Sequence, residues 1–249
     1  MLRLLAALAL AASPGTALAA PFTVVLLGDS ITEGQMSLPA GPSFAELLDD
    51  SLGPDFAVTN IGCGAASSLD WRPSQGDSLC GEGFAFPNLY EGRALPTLPA
   101  DLVTILLGTN DALGFRESGS VPLATYRAAI AELAAQLLLD GARQVMLLTP
   151  PPNFEHLFPH SFVIGYRAEI LALCSVPGDA ILCGPDVFEL LGPEDFGNDV
   201  HPNASGHAKI AVALHDAISA VVPEPGSAPL ALLGLVALAG ARRRGARYW

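Results

Sequence analysis

The chain has 249 residues, 51% of them hydrophobic, with 25 acidic side chains against 12 Lys and Arg and a net charge of −13. This length and composition suit one α/β domain of ordinary size, with a core that needs no disulfide stapling. So acidic a surface repels nucleic acid and anionic lipid, so no nucleic-acid partner is expected.

Met1-Leu-Arg3, the apolar run Leu4 to Ala12 and the small-residue close Ala17-Leu-Ala19-Ala20 have the three-part layout of a secretory signal peptide, assigned to residues 1–20. The domain is then 21–222. It keeps 24 of the 25 acidic residues and 7 of the 12 basic ones, a charge near −17 that suits a soluble exported protein.

Val24-Val-Leu-Leu-Gly28 is apolar without alternation, the pattern of a strand buried on both faces of a parallel sheet. It ends in Asp29-Ser30-Ile-Thr32, where Asp29 or Ser30 is placed to cap a following helix. Residues 43–52 read as a short amphipathic helix stopped by Gly53-Pro54. A second strand, 56–61, runs into Gly62-Cys-Gly64-Ala-Ala-Ser67. Residues 68–100 are a long Pro- and Gly-rich connection, expected to wall a substrate cleft with Trp71, Phe84, Phe86 and Tyr90.

A third apolar strand over 101–107 leads to Gly108-Thr-Asn110-Asp111, and a helix is expected over 122–139. A fourth strand over 145–149 is stopped by three prolines; a helix over 158–173 and a short strand at 180–183 follow. The last helix starts near Asn203 or Ala204 and runs to about Val221. Alternating strands and helices indicate a doubly wound, mostly parallel five-stranded sheet in a three-layer α/β/α sandwich.

Beyond Pro223-Glu-Pro225, an apolar segment over 228–241 precedes Arg242-Arg-Arg244 and Arg247. Such a greasy stretch with a basic end stalls in a membrane, yet it is shorter than a comfortable span, so only transient membrane contact is expected there. Residues 223–249 closely resemble the PEP-CTERM sorting signal, which implies an exosortase-type processing enzyme and a Gram-negative periplasm, cell surface or extracellular matrix. A plain C-terminal anchor helix is the other reading.

An even cysteine count in an exported chain favours disulfides, and Cys63 with Cys80 and Cys174 with Cys183 are the simplest of three connectivities. No C-x-x-C spacing is present, and no metal site is expected. His207 and His215 fit helix surface positions, and His156 and His160 lie in a Pro-flanked segment; none is assigned chemistry.

Ser30, Gly62 with Gly64, and Asn110 each follow the carboxyl end of a buried strand, and His201-Pro202 precedes the last helix. In a parallel sheet those ends share one edge, where ligands bind. A serine hydroxyl needs an imidazole to act as nucleophile, which His201 supplies, and a tetrahedral oxyanion needs aimed donors: the N–H of Ser30, the N–H of Gly64 and the Asn110 amide.

Gly28-Asp-Ser30, Gly64, Gly108-Thr-Asn110-Asp111 and His201-Pro202-Asn203 fall in the order of the four blocks of the SGNH hydrolases, or GDSL esterases and lipases, which this chain resembles over about residues 22–221. The resemblance implies a flavodoxin-like fold without metal or organic cofactor, with Ser30 as nucleophile, Gly64 and Asn110 completing the oxyanion hole and His201 as base. Two positions depart from the pattern. The glycine block is one residue short, so Gly64 is chosen over Gly62. The family's carboxylate usually lies three residues before the histidine, where this chain has Asn198; Asp199 is chosen, with Asn198, Asp195 or a backbone carbonyl as the other partners for the imidazole. The implied activity is exported ester hydrolysis through an acyl-serine, with polysaccharide deacetylation suggested by the sorting tail. Lysophospholipase or lipase activity is an alternative. Another is a catalytically weakened surface or matrix protein that holds glycans through Trp71 and the Tyr90 region.

Overall fold

The computed structural model describes residues 20–34, 41–74, 78–80, 84–86, 88–114, 119–154, 161–197 and 200–222. Residues 1–19 of the proposed leader, the sorting tail, Asn198 and Asp199 fall outside these. The strands of the main sheet are β1 (Phe22–Gly28), β2 (Phe56–Asn60), β5 (Ala100–Leu106), β6 (Ala142–Leu148) and β7 (Ile181–Cys183). They pair in the order β2-β1-β5-β6-β7, every pair parallel. With the small hairpin β3 (Ser78–Cys80) and β4 (Phe84–Phe86) set aside, this is the flavodoxin-like order, whose topological switch point lies between its first and third strands. Here that point is between β1 and β5.

The apolar runs bury side chains on both faces, as a parallel sheet requires. On one side Val25 and Leu27 of β1, Val103 and Ile105 of β5, and Val145 and Leu147 of β6 join a core with Tyr126, Ile130 and Leu133 of α4 (Leu123–Leu139) and Val163 and Ile170 of α5 (Ser161–Cys174). On the other, Val24, Leu26, Leu102, Leu106, Met146 and Leu148 meet Phe44 and Leu48 of α2 (Phe44–Leu52) and Ile210, Leu214 and Ile218 of α7 (Ala204–Val221). Three one-turn helices complete the elements: α1 (Ser30–Glu33), α3 (Thr109–Leu113) and α6 (Val187–Leu190).

The long connection departs from the sequence reading. It holds the β3–β4 hairpin and an irregular helical segment over 90–97. Trp71 and Tyr90 do not wall a cleft; both are buried in the core, with the Trp71 indole N–H donating to the Gly28 carbonyl at 3.2 Å and the Tyr90 hydroxyl to Asp140 at 2.6 Å. Their polar tips find partners inside the fold, which is what allows such large side chains to be buried. The smaller differences are at element ends: β6 starts at Ala142, three residues earlier than expected, and Phe158 of the expected helix start lies outside the described residues. Both cysteine pairs form as expected, Cys63–Cys80 and Cys174–Cys183.

His207 is also misplaced by the sequence reading, for it is fully buried under α2. Its Nδ1 accepts the backbone N–H of Phe44 at 3.2 Å, and its ring stacks on the Phe44 ring at 6.0 Å. Ser43 and Glu46 close a capping box over the same helix start. Burial, reinforced by the charge of His201 and opposed by Glu46, lowers the His207 pKa from 6.5 to about 4. A histidine depressed in the folded state gives stability that is complete above the unfolded value and is lost as pH falls through the folded one. The window is therefore pH 6.5 down to about 4. In His207→Gln, the gap between the urea midpoints at pH 7 and pH 4.5 should shrink; a gap as wide as in the parent chain would contradict this account.

Candidate active site

Parallel pairing sets Gly28 opposite Leu106, so the chain leaves β1 and β5 side by side at the switch point. Ser30 opens α1 just beyond β1, and Asn110 lies in the first turn of α3 just beyond β5. Asp29 caps α1, its carboxylate accepting the N–H of Ile31 at 2.9 Å. Gly108 turns the chain from β5 into α3 with φ of +129°, a conformation that favours glycine, and a Cβ there would stand 3.0 Å from the Pro150 ring.

His201 arrives from the far end of the sequence on a tight return loop. Phe196 and Pro202 form an antiparallel bridge, and the N–H of Gly197 donates to the His201 carbonyl at 3.4 Å. Asn203 then caps α7, accepting the N–H groups of Ser205 and Gly206. The loop brings the imidazole Nε2 to 2.8 Å from Ser30 Oγ, across 171 residues of sequence. That is hydrogen-bond distance for proton transfer between a nucleophile and its base.

Of the sequence-named partners for the imidazole, Asp195 is engaged elsewhere. Its fully buried carboxylate accepts from Lys209 Nζ at 2.6 Å, Ser205 Oγ at 2.9 Å and the N–H of Gly192 at 2.9 Å. Burial alone would raise its pKa, but these donors hold it below the ordinary carboxylate value. Asp195 thus ties the return loop to α7.

The loop after β2 holds Gly62 and Gly64 in different surroundings. The N–H of Gly62 donates to Asn60 Oδ1 at 2.9 Å, while Asn60 Nδ2 reaches back to the Thr32 carbonyl of α1 at 2.7 Å. A Cβ on Gly62 would overlap the backbone of Glu33. Gly62 therefore serves close packing against the nucleophile turn, and its N–H is occupied. Gly64 lies in the next turn, where the N–H of Ala66 donates to the Cys63 carbonyl at 3.1 Å. Ala65 in that turn has φ of +59°, the left-handed region that costs a residue with a Cβ.

Several further groups pin this turn. The N–H of Cys63 donates to the Gly28 carbonyl at 3.1 Å, the same oxygen that accepts from Trp71. Arg93 donates to the Gly62 carbonyl at 2.6 Å, Asn110 Nδ2 to that of Ala66 at 2.9 Å, and the Cys63–Cys80 disulfide ties the turn to β3. Asn110 has two amide hydrogens, so one remains for a ligand oxygen. Asp111, completely buried, accepts from the N–H and hydroxyl of Ser68. Cys63, Cys80, Trp71, Asn110 and Asp111 stand in pairs or motifs legible in the sequence, whereas Arg93 and Ser68 carry no such signal.

Burial pushes the Asp29 pKa up to about 7, against the lowering bond from Ile31 and with Asp111 adding repulsion; burial likewise raises Asp111 to about 6, against the Ser68 bonds. Two carboxyl groups thus back the site without a full pair of charges. No cluster of metal-ligand residues occurs among the described residues.

A serine at hydrogen-bond distance from an imidazole, on a flavodoxin-like sheet edge with an amide beside it, defines a serine hydrolase site. The model of the GDSL-like lipase/acylhydrolase family matches residues 26–209, and the chain belongs to that family: it is a serine hydrolase acting on ester bonds. The PEP-CTERM protein-sorting motif matches residues 221–244 and marks the chain for export in a Gram-negative bacterium. No curated protein matches the sequence. Among solved structures, the aryl esterase of Mycobacterium smegmatis is similar with a TM-score of 0.62 and 21% identity over 81% of this chain and 100% of its own. A carbohydrate acetylesterase of Sinorhizobium meliloti has a TM-score of 0.61 and 19% identity over 81% and 100%. A carbohydrate esterase family 2 enzyme of Corynascus thermopiles has 0.59 and 21% over 81% and 67%. At these identities the likeness is one of fold.

Two predictions follow from the supporting groups. A carboxyl raised in the folded state gives stability that is complete below the unfolded value and is lost as pH rises through the folded one, here from 3.8 to about 7 for Asp29. In Asp29→Asn, the decline of the thermal midpoint between pH 5 and pH 8 should flatten; an undiminished decline would contradict it. Arg93→Ala leaves the Gly62 carbonyl without its charged donor and should lower unfolding free energy by about 1.5–3 kcal/mol, measured by urea titration. Arg93→Lys, lacking the planar fork, should recover only part of this.

Proposed function

We propose that the chain is an exported esterase that removes acetyl groups from a polysaccharide, working at the cell surface or in the surrounding matrix. The single observation that carries the chemistry is the 2.8 Å contact between Ser30 Oγ and His201 Nε2. The polysaccharide reading draws on the likeness to carbohydrate acetylesterases and on the sorting motif. In this reading residues 1–20 are a cleaved leader, 21–222 the catalytic domain and 223–249 the tail handled by an exosortase-type enzyme. The glycan-holding alternative loses its residues, because Trp71 and Tyr90 are buried.

The proposed cycle has two halves. His201 takes the proton of Ser30 as Oγ attacks the ester carbonyl. The resulting oxyanion is held by the N–H groups of Ser30 and Gly64 and by the Asn110 amide. His201 then gives its proton to the alcohol oxygen, the C–O bond breaks, and an acyl-serine remains. Water, deprotonated by His201, attacks that ester; collapse returns the proton to Ser30 and releases the acid. Asp199 is proposed to orient the imidazole and stabilise its charged form.

Activity on p-nitrophenyl acetate and on an acetylated polysaccharide tests this. Ser30→Ala and His201→Ala should each lower kcat by about 10⁴-fold or more. Asn110→Ala should cost about 10²–10³, and Asp199→Ala more than Asn198→Ala. Full activity in Ser30→Ala would overturn the reading.

A further inference from the structure

The edge of the sheet beyond β6 carries an aromatic pair that the chemistry above does not use. Pro150, Pro151, Pro152 and Asn153 leave β6 as a buried segment, and Pro150 packs against Gly108, two residues before Asn110. The next residue, Phe154, is 37% exposed. Its ring meets that of Phe196 edge to face, centroids 5.4 Å apart and planes at 68°. Phe196 is itself anchored: it packs on the α2–α7 side of the core and bridges Pro202, next to His201. Contacts therefore lead from Ser30 to His201, and from its neighbour Pro202 through Phe196 to an exposed phenyl ring.

The chemistry gives that ring a side. In acyl transfer the imidazole protonates the departing oxygen, so the alcohol part of the ester leaves on the histidine side, while the oxyanion points to the donors around Asn110 and Gly64. Phe196, on which Phe154 packs, bridges Pro202, the residue after His201. An exposed aromatic face held in place offers a stacking surface at low entropic cost. It suits a neutral ring better than a charged chain.

Resting on the esterase reading, we propose that Phe154, propped by Phe196, forms a subsite for the alcohol portion of the ester and selects neutral rings, a pyranose or an aryl group, over small acyclic alcohols. The test compares p-nitrophenyl acetate, an acetylated methyl glucoside and ethyl acetate. Phe154→Ala should raise KM about tenfold for a ring-bearing ester with kcat little changed, the mark of lost uniform binding, and leave ethyl acetate unaffected. Phe154→Tyr should behave as the parent. Loss on the glucoside identifies a pyranose site and loss on the aryl ester alone an aryl site. Equal loss on all three esters, or on none, would overturn the subsite.

Binding is measured separately by saturation-transfer NMR of phenyl acetate and the acetylated glucoside, with Ser30→Ala and the Ser30→Ala/Phe154→Ala double variant. Transfer to the ring protons should disappear in the double variant; undiminished transfer would overturn the subsite. If the parent chain hydrolyses none of the three esters the esterase reading fails, and the NMR comparison still decides on the ring site.

Discussion

Parallel pairing of β1 with β5 is the constraint on which the site depends. Because Gly28 stands opposite Leu106, the two strands release their chains at one place, and the first residues free of the sheet include Ser30 on one side and Asn110 on the other. A slip of one residue would turn every side chain to the opposite face and exchange the two apolar cores. The full burial of Val24, Leu26 and Leu27 against helices on both sides makes that slip prohibitive. Packing thereby fixes the position of Ser30, the proposed nucleophile.

The turn proposed to bind the oxyanion is held differently, by polar groups instead of apolar ones. The Gly28 carbonyl accepts from both Cys63 and Trp71, so the end of the nucleophile strand and the glycine turn share one acceptor. Asn60 bridges the same turn to α1, and Asp111 holds its far end through Ser68. Donors preorganised in this way need no reorganisation when charge develops on a substrate oxygen. The left-handed Ala65 fits this pattern, since a strained residue persists only where its surroundings over-determine it.

Much of this was legible in the sequence, for identifiable reasons. Uninterrupted runs such as Val24 to Leu27, bounded by turn residues, suit strands covered on both faces, and their order with intervening helices indicates the sandwich. Ser30, Asn110 and His201 were readable because each follows a strand end or precedes a helix start. The readings the structure corrects turn on a helix periodicity and on partners distant in sequence. His207 belongs to the buried stripe Ile210, Leu214 and Ile218 of α7, and that periodicity was the available signal. Trp71 and Tyr90 were read as cleft residues because their buried partners, the Gly28 carbonyl and Asp140, are distant in sequence. The Gly62 N–H donates to Asn60, a side-chain bond that a count of residues between the glycines does not show.

The account turns on Ser30 acting as a nucleophile activated by His201. Incubating the protein with diethyl p-nitrophenyl phosphate, which phosphorylates activated serines, and locating the adduct by peptide mass spectrometry tests this most directly. One diethylphosphoryl group should appear on the peptide bearing Ser30, and it should be absent from the His201→Ala variant treated identically. An adduct on another residue, or equal labelling of Ser30 without the imidazole, would contradict the account.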